Sequence, residues 1–374
     1  MKMGKITIQG NIQKVPVVEE LDESKQILKA KIETKTHRVL FPFTAIVGQE
    51  KMKRALILNA INPSIGGVLI RGQKGTAKST AVRGLAEVLP EIEVVSGCTY
   101  SCDPRDEDKF CWECQIRQKE GTITTEKRPM KVVDLPVGAT EDRVVGSLDI
   151  EKAVTQGIRA YEPGILADAN RSILYVDEIN LLDDFVVDAL LDAAAMGINT
   201  VEREGVSVSH PASFIIVGSM NPEEGELRPQ LLDRIALQVE VVGIPDIEQR
   251  VEIIEGRNRF NDEPDTYRKE FQTEQDRLHA RIVKAQQMLA NVVTTRDNLQ
   301  TIAKICVEFN VDGHRADIMI ERTARTNAAF EGRDRVTNED IVESAEMVLP
   351  HRMRKRPFEE EEFSVEQLKR LVDK

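Results

Sequence analysis

The stretch Val68-Leu69-Ile70-Arg71-Gly72-Gln73-Lys74-Gly75-Thr76-Ala77-Lys78-Ser79 decides the fold of this chain. An apolar run stops at a glycine, a short loop comes next, and Lys-Ser opens a helical pattern. Glycines let backbone N–H groups close on a triphosphate without a Cβ in the way, and the helix N-terminus adds a favourable dipole. In that geometry Lys78 reaches the β- and γ-phosphates and the Ser79 hydroxyl ligates Mg²⁺. Gly72, Gln73, Lys74, Gly75, Thr76, Ala77, Lys78, Ser79 and Thr80 are therefore candidate nucleotide-binding residues. The usual pattern is G-x-x-x-x-G-K-[ST], and Ala77 stands where the second glycine belongs. Helical geometry at that position tolerates alanine, so the change reads as a mild weakening of the motif.

About a hundred residues later the apolar run Ile173-Leu174-Tyr175-Val176 ends in Asp177-Glu178. A strand ending this way puts Asp177 beside the metal of a MgATP complex and Glu178 near the attacking water, as general base. A solvated acidic pair at a helix start would look the same in isolation; the phosphate loop in the same chain tips the reading. Ser213-Phe214-Ile215-Ile216-Val217-Gly218-Ser219-Met220-Asn221-Pro222 reads as a central strand delivering Asn221 at its carboxyl end, where parallel α/β sheets place ligands. Leu231-Leu232-Asp233-Arg234 closes a short helix with an arginine able to reach a neighbouring subunit's γ-phosphate. Gly313-His314-Arg315-Ala316-Asp317 starts a helix from which Arg315 could contact the nucleotide. A turn-forming Asn and two surface arginines are the plainer alternatives.

The 374 residues allow one large or two medium domains, with 41% hydrophobic and 30% charged content ordinary for a globular chain. A formal charge of −12 argues against non-specific nucleic-acid or anionic-membrane binding. No apolar run spans a bilayer, and Met1-Lys2-Met3-Gly4-Lys5-Ile6-Thr7 lacks the hydrophobic core of a signal peptide, so the expectation is cytoplasmic. Four of the five cysteines cluster as Cys98, Cys102, Cys111 and Cys114, spaced C-x3-C-x8-C-x2-C. In a cytosolic chain that spacing points to metal more than to disulfides. Zinc would fold a short loop with little core of its own; an iron–sulfur cluster and plain reduced thiols are the other readings. Cys306 lies in the helical stripe Leu299, Ile302, Ile305, Cys306, Phe309 and reads as core.

Residues 1–38 read as a Lys- and Glu-rich extension. An α/β module, a P-loop three-layer αβα architecture, covers 39–245, with candidate strands at 68–71, 92–95, 172–176, 213–218 and 237–242. Strands alternating with helices imply a largely parallel sheet. Residues 134–165 form a long Gly- and charge-rich insertion, and alternation around Glu204-Gly205 reads as a β-hairpin over 198–211. From 246 to 374 the pattern is helical, an all-helical lid. Tyr267, Phe271, Leu278, Ile282, Ala285 and Leu289 mark one helix face, and Thr337-Asn338-Glu339-Asp340 is a capping-box signal before a helix closed by Pro350.

Beyond the generic motifs, long strings carry a closer resemblance. They are Phe41-Pro42-Phe43-Thr44-Ala45-Ile46-Val47-Gly48-Gln49-Glu50, Asp134-Leu135-Pro136-Val137-Gly138-Ala139-Thr140-Glu141-Asp142-Arg143, Asn199-Thr200-Val201-Glu202-Arg203-Glu204-Gly205 and Asn221-Pro222-Glu223-Glu224-Gly225-Glu226-Leu227-Arg228-Pro229-Gln230-Leu231-Leu232-Asp233-Arg234. With them the chain resembles, from about 39 to 354, the I-subunit family of magnesium chelatase, AAA+ ATPases that drive metal insertion into a porphyrin. Cobalt chelatases of corrin synthesis use a very similar ATPase. The resemblance implies a homo-oligomeric ring of six subunits with ATP at the interfaces. It also implies a second ATPase-like subunit with an adhesion domain and a large porphyrin-binding subunit. It makes Asn221 sensor 1, Arg234 an arginine finger acting in trans, and Arg315 sensor 2, and it adds Val47 and Gly48 to the nucleotide contacts. The 134–165 insertion and the hairpin match the helix-2 insert and pre-sensor hairpin of that group. This chain departs from the family at Ala77, Met220, His314 and the cysteine cluster. A MoxR-type chaperone ATPase that matures another metalloprotein, and an interaction protein or DNA remodeller using the cysteine loop as a binding module, are the competing functions.

Overall fold

The apolar runs ahead of the phosphate loop, the acidic pair and Asn221 are neighbouring strands of one parallel sheet. The computed structural model of the protein describes residues 39–148, 161–203, 206–353 and 363–372. The 1–38 extension lies outside them. In chain order the strands are β1 (Val68–Gly72), β2 (Ile92–Val95), β3 (Thr125–Arg128), β4 (Val132–Leu135), β5 (Gly146–Leu148), β6 (Tyr161–Pro163), β7 (Ile173–Val176), β8 (Ile198–Arg203), β9 (Val206–Pro211), β10 (Ile215–Met220) and β11 (Leu237–Val241). The central sheet runs β11-β1-β10-β7-β4, every pairing parallel. Its central strands β1 and β10 are largely apolar runs because both faces are covered.

The side chains show this by alternation. Val68 and Ile70, Ile173 and Tyr175, Ile215 and Val217 belong to one core; Leu69, Leu174, Val176 and Ile216 belong to the other. The first face packs against helices Glu50–Ile61 and Lys78–Val88, the second against Asp184–Met196 and the short helices Glu141–Val145 and Ile165–Ala169. Leu174 is fully buried, so truncation to Ala would cost about 2–5 kcal/mol. Gly72 ends β1 where β11 comes close. A Cβ there would stand 2.1 Å from the Val241 carbonyl oxygen, so only glycine fits.

Two expectations need correcting. Residues 92–95 do form a strand, but β2 pairs antiparallel with β3, outside the parallel sheet. The fifth place in the sheet belongs to β4 at its edge, whose last residues, Asp134 and Leu135, begin the segment read as an insertion. A four-residue edge strand between Lys131 and Pro136 is too short to announce itself by periodicity. The chain continues into the helix Glu141–Val145 and the antiparallel pair β5–β6; 149–160 lie outside the described residues. The hairpin is present as β8–β9, paired from Ile198↔Pro211 to Arg203↔Val206, with its tip at 204–205 outside the described residues.

The carboxyl-terminal helices include Pro264–Met288, Arg296–Glu308, Arg315–Phe330, Asn338–Val348 and Val365–Val372. Their Ile282, Ile302, Ile320, Ile341 and Leu368 join the same core as Ile70 and Val217. Capping boxes start two of them, Thr295 with Asn298 and Thr337 with Asp340. Cys306 is buried in that core, where loss of water pushes its thiol up to about 12. Among the described residues no helix is long and apolar enough to cross a membrane.

Candidate active site

Parallel pairing brings the carboxyl ends of β1, β7 and β10 together, and a cavity of about 700 Å³ opens there. Its walls include Lys74, Gly75, Thr76, Ala77, Lys78, Ser79, Thr80, Asp177, Glu178 and Asn221, drawn from three well-separated segments of the chain. Lys78 opens the helix Lys78–Val88, and its Nζ donates to the carbonyls of Gly72 and Gln73, the latter at 3.1 Å. Burial lowers its pKa, opposed by the Asp177 carboxylate. The Gln73 amide reaches Glu223 at 3.1 Å, across to the turn after Asn221. The reading of Ala77 as helical is overturned. It sits just before the helix at φ 61°, ψ 18°, a left-handed position, and Gly75 holds φ 85° in the same loop. The loop thus needs two left-handed residues and meets one with a strained alanine.

The acidic pair is held from both sides. Asp177 Oδ1 accepts from Ser219 Oγ at 2.5 Å and from Tyr175 Oη at 3.0 Å, which fixes its carboxylate at the cavity wall. Ser219 in turn accepts the Glu178 backbone N–H at 3.2 Å, and Glu178 adopts φ 51° at the turn out of β7. Lys74 bridges Glu224 at 2.8 Å and Glu178 at 2.9 Å, and these two carboxylates raise its pKa above the ordinary lysine range. Asn221 is buried on the cavity wall, and its side-chain oxygen accepts the Glu223 N–H at 3.3 Å. Sequence reasoning missed Ser219 and Tyr175, since each reads as an ordinary strand residue. Only the Gly218↔Val176 register sets Ser219 beside the acidic pair.

Phe41, Val47, Ile244, Ile253, Arg257 and Tyr267 line the far end of the cavity, an apolar and aromatic wall of the kind a nucleobase packs on. Phe41 and Val47 come from the string at 41–50, and the other wall residues belong to no motif. Val47 is on the wall, whereas Gly48 lies behind it, where a Cβ would press on Ile244 Cδ1 at 2.9 Å. The two arginines are elsewhere. Arg234 ion-pairs with Asp188 and Asp192 of the helix Asp184–Met196, and Arg315 donates to Asp233 at 2.8 Å. Neither lines the cavity of its own chain. Both meet at Asp233-Arg234, a segment pinned by the buried Arg352. Its guanidinium donates to the carbonyls of Asp233 (3.0 Å), Ile235 (2.6 Å) and Ala236 (2.9 Å). Burial lowers Arg352 to about 10.

The four cysteines come together in a separate place, with all four sulfurs within 4.8 Å of one another and none on the nucleotide cavity.

A five-stranded parallel sheet with a lysine-bearing phosphate loop on one strand, Asp-Glu on another and a buried Asn between them defines a AAA-type ATPase. The family model of the AAA domain (dynein-related subfamily) matches 120–235 and that of the AAA lid domain matches 299–371. The chain is 57% identical over 334 residues to the magnesium-chelatase subunit ChlI homolog of Methanocaldococcus jannaschii, covering 89% of this chain and 91% of that protein. It is 53% identical to the magnesium-chelatase subunit ChlI of Synechocystis, covering 87% and 92%. The chain belongs to the ChlI family of magnesium-chelatase subunits. Among solved structures it is similar to a chain of the complex between subunits BchI and BchD of magnesium chelatase, from a cryo-EM reconstruction. That likeness has TM-score 0.51 at 45% identity, over 88% of this chain and 99% of that one. A crystal structure from Cytophaga hutchinsonii matches at TM-score 0.58 and 18% identity over 95% and 97%, a likeness of fold alone.

Proposed function

We propose that this chain is the ATP-hydrolysing motor subunit of a metal chelatase, coupling hydrolysis to insertion of Mg²⁺ into a tetrapyrrole held by a separate large subunit. The observation that carries the reading is the convergence of Lys78, Asp177, Glu178 and Asn221 on one nucleotide-sized cavity, in a chain of the ChlI family. The names of the relatives support magnesium over cobalt, and support a chelatase over a MoxR-type chaperone.

The residues present fit MgATP. Lys78 exchanges its carbonyl partners for phosphate oxygens, a charge-assisted contact of roughly twice the strength of a neutral one. Ser79 and Asp177 are the proposed Mg²⁺ ligands, and Ser219 and Tyr175 hold Asp177 in place for it. Glu178 acts as general base on the attacking water once Lys74 releases it. Asn221 positions that water or the γ-phosphate from the neighbouring strand end. Arg234 and Arg315 both stand off their own cavity, which supports action on a neighbouring subunit's nucleotide after exchange of their carboxylate partners. A homo-oligomeric ring, of six in the family's pattern, meets that requirement. The BchI–BchD complex supports a second chelatase subunit as partner, here with an adhesion domain and a porphyrin-binding subunit beyond it. Cytoplasmic location completes the reading.

The test is a pull-down from the source cell with ATP-loaded Glu178→Gln protein and mass spectrometry of what is retained. A very large porphyrin-binding subunit with an adhesion-domain protein is the expected catch. Retention of an unrelated metalloenzyme instead would overturn the chelatase assignment.

A further inference from the structure

The segment between β2 and β3 has one short α-helix, Trp112–Lys119, and contributes only Tyr100 and Phe110 besides the cysteines to a very small core shared with Val95 of β2 and Ala167. Such a segment has too little apolar area to hold itself. Its four sulfurs nevertheless converge. Cys102, Cys111 and Cys114 are at most 1% exposed, and Cys98 and Cys111 are 3.7 Å apart at Sγ. A disulfide would need about 2.0 Å, and all four are free thiols. A tetrahedral ion with bonds of about 2.3 Å places its sulfurs about 3.8 Å apart. An iron–sulfur cluster divides its four thiolates among two or four irons and so spreads the set wider. The backbone is arranged for the same purpose. Cys98 and Cys102 flank a turn beside which Gly97 and Ser101 take φ 68° and 51°. Cys111 and Cys114 lie one helical turn apart at the start of Trp112–Lys119, and the Cys111 N–H donates to Cys102 Sγ at 3.2 Å.

We propose that Cys98, Cys102, Cys111 and Cys114 bind a single zinc ion, and that this centre braces the base of the β8–β9 hairpin through Tyr100 and His210. Loading exchanges four S–H protons for four Zn–S bonds, with no change of oxidation state and a net charge of 2− on the centre. Arg171, ion-paired to Asp103 at 3.0 Å, and the partly buried Arg128, whose Nε and Nη2 have no hydrogen-bond partner among the described residues, are within electrostatic reach of Cys102 and Cys98 to balance it.

The brace is Tyr100, two residues from each of the first pair of cysteines. Its ring stacks on His210 at 4.7 Å and 29°, and its carbonyl accepts from Asn170 at 2.6 Å. Asn170 in turn accepts the Ser213 N–H at 2.9 Å, at the entry to β10. Burial lowers the pKa of His210 of β9, whose ring meets Asn199 of β8 at 3.0 Å and Tyr161 of β6 at 3.3 Å. One buried ring thus touches both hairpin strands and the β5–β6 pair, and the cysteine loop is what holds that ring in place.

The experiment uses the full chain purified without added metal. Elemental analysis is expected to give one zinc per chain in a colourless protein, released in step with mercurial titration of four thiols. Reloading with Co²⁺ is expected to give the visible bands of a tetrahedral tetrathiolate. Tyr100→Leu should keep its zinc, while hydrogen exchange at 198–203 and 206–211 quickens about tenfold, as in chelator-stripped protein. A metal-free native chain with four freely alkylated thiols, or a coloured chain containing iron, would overturn the zinc site. One zinc with unchanged hairpin exchange in both stripped and Tyr100→Leu protein would overturn the brace.

Discussion

Replacing Ala77 by glycine tests the geometry of the phosphate loop without touching its chemistry. Ala77 holds φ 61° and ψ 18° ahead of the helix Lys78–Val88, with no side-chain cap to compensate. That conformation costs an L-residue about 1–2 kcal/mol and costs glycine nothing. The freer unfolded chain of a glycine variant offsets about 0.4–1 kcal/mol of the gain. The net expectation is that Ala77→Gly stabilises the nucleotide-free protein by about 0.5–1 kcal/mol. Were Ala77 helical, the same change would destabilise by about 1 kcal/mol, so the sign alone decides. Urea denaturation reads it as a rise in midpoint at constant m. Ala77→Val, β-branched at a left-handed position, should move the midpoint down. A falling midpoint for Ala77→Gly would refute the left-handed geometry at this position.

Glu178→Gln should bind ATP and hydrolyse it about 10²–10⁴-fold more slowly; unchanged turnover in a coupled phosphate assay would remove Glu178 as the base. Mixing Lys78→Ala with Arg234→Ala protein should restore ATPase that neither has alone, and mixed rings without recovery would count against action in trans. Stability should also depend on pH through His351. Burial, then the Arg352 charge, depresses it to about 3, and its ring meets the Ile235 carbonyl and Arg352. With an unfolded value near 6.5, its contribution is complete above about pH 6.5 and is lost as the pH falls toward 3. That is about 1.4 kcal/mol lost between about pH 7.5 and 5.5, a slope that denaturation midpoints should show and His351→Gln should reduce.

Strands β1, β7 and β10 were legible because central parallel strands are apolar on both faces, and the phosphate loop and acidic pair are local strings. The features that escaped sequence reading depend on partners distant in the chain. β4 becomes a sheet strand only by pairing with β7. Ser219 orients Asp177 only through the register of β10 on β7. Alanine gives no hint of a left-handed φ, so the strain at Ala77 was invisible. Arg315, read as a nucleotide contact from the lid, does not line its own chain's cavity and meets Asp233, 82 positions away. The wall formed by Ile244, Ile253 and Tyr267 has no motif at all, since any apolar residues of suitable size can build it. The cysteine spacing pointed to metal, but the choice of one ion over a cluster needed the sulfur positions.

The most direct measurement is ATP-dependent metal insertion, monitored by porphyrin fluorescence, with the purified chain added to the partner subunits recovered from the same cell. Insertion of Mg²⁺ should require both this chain and ATP hydrolysis, and should be lost when Glu178→Gln replaces the native protein. Insertion that proceeds without this chain, or at full rate with Glu178→Gln, would contradict its role as the motor.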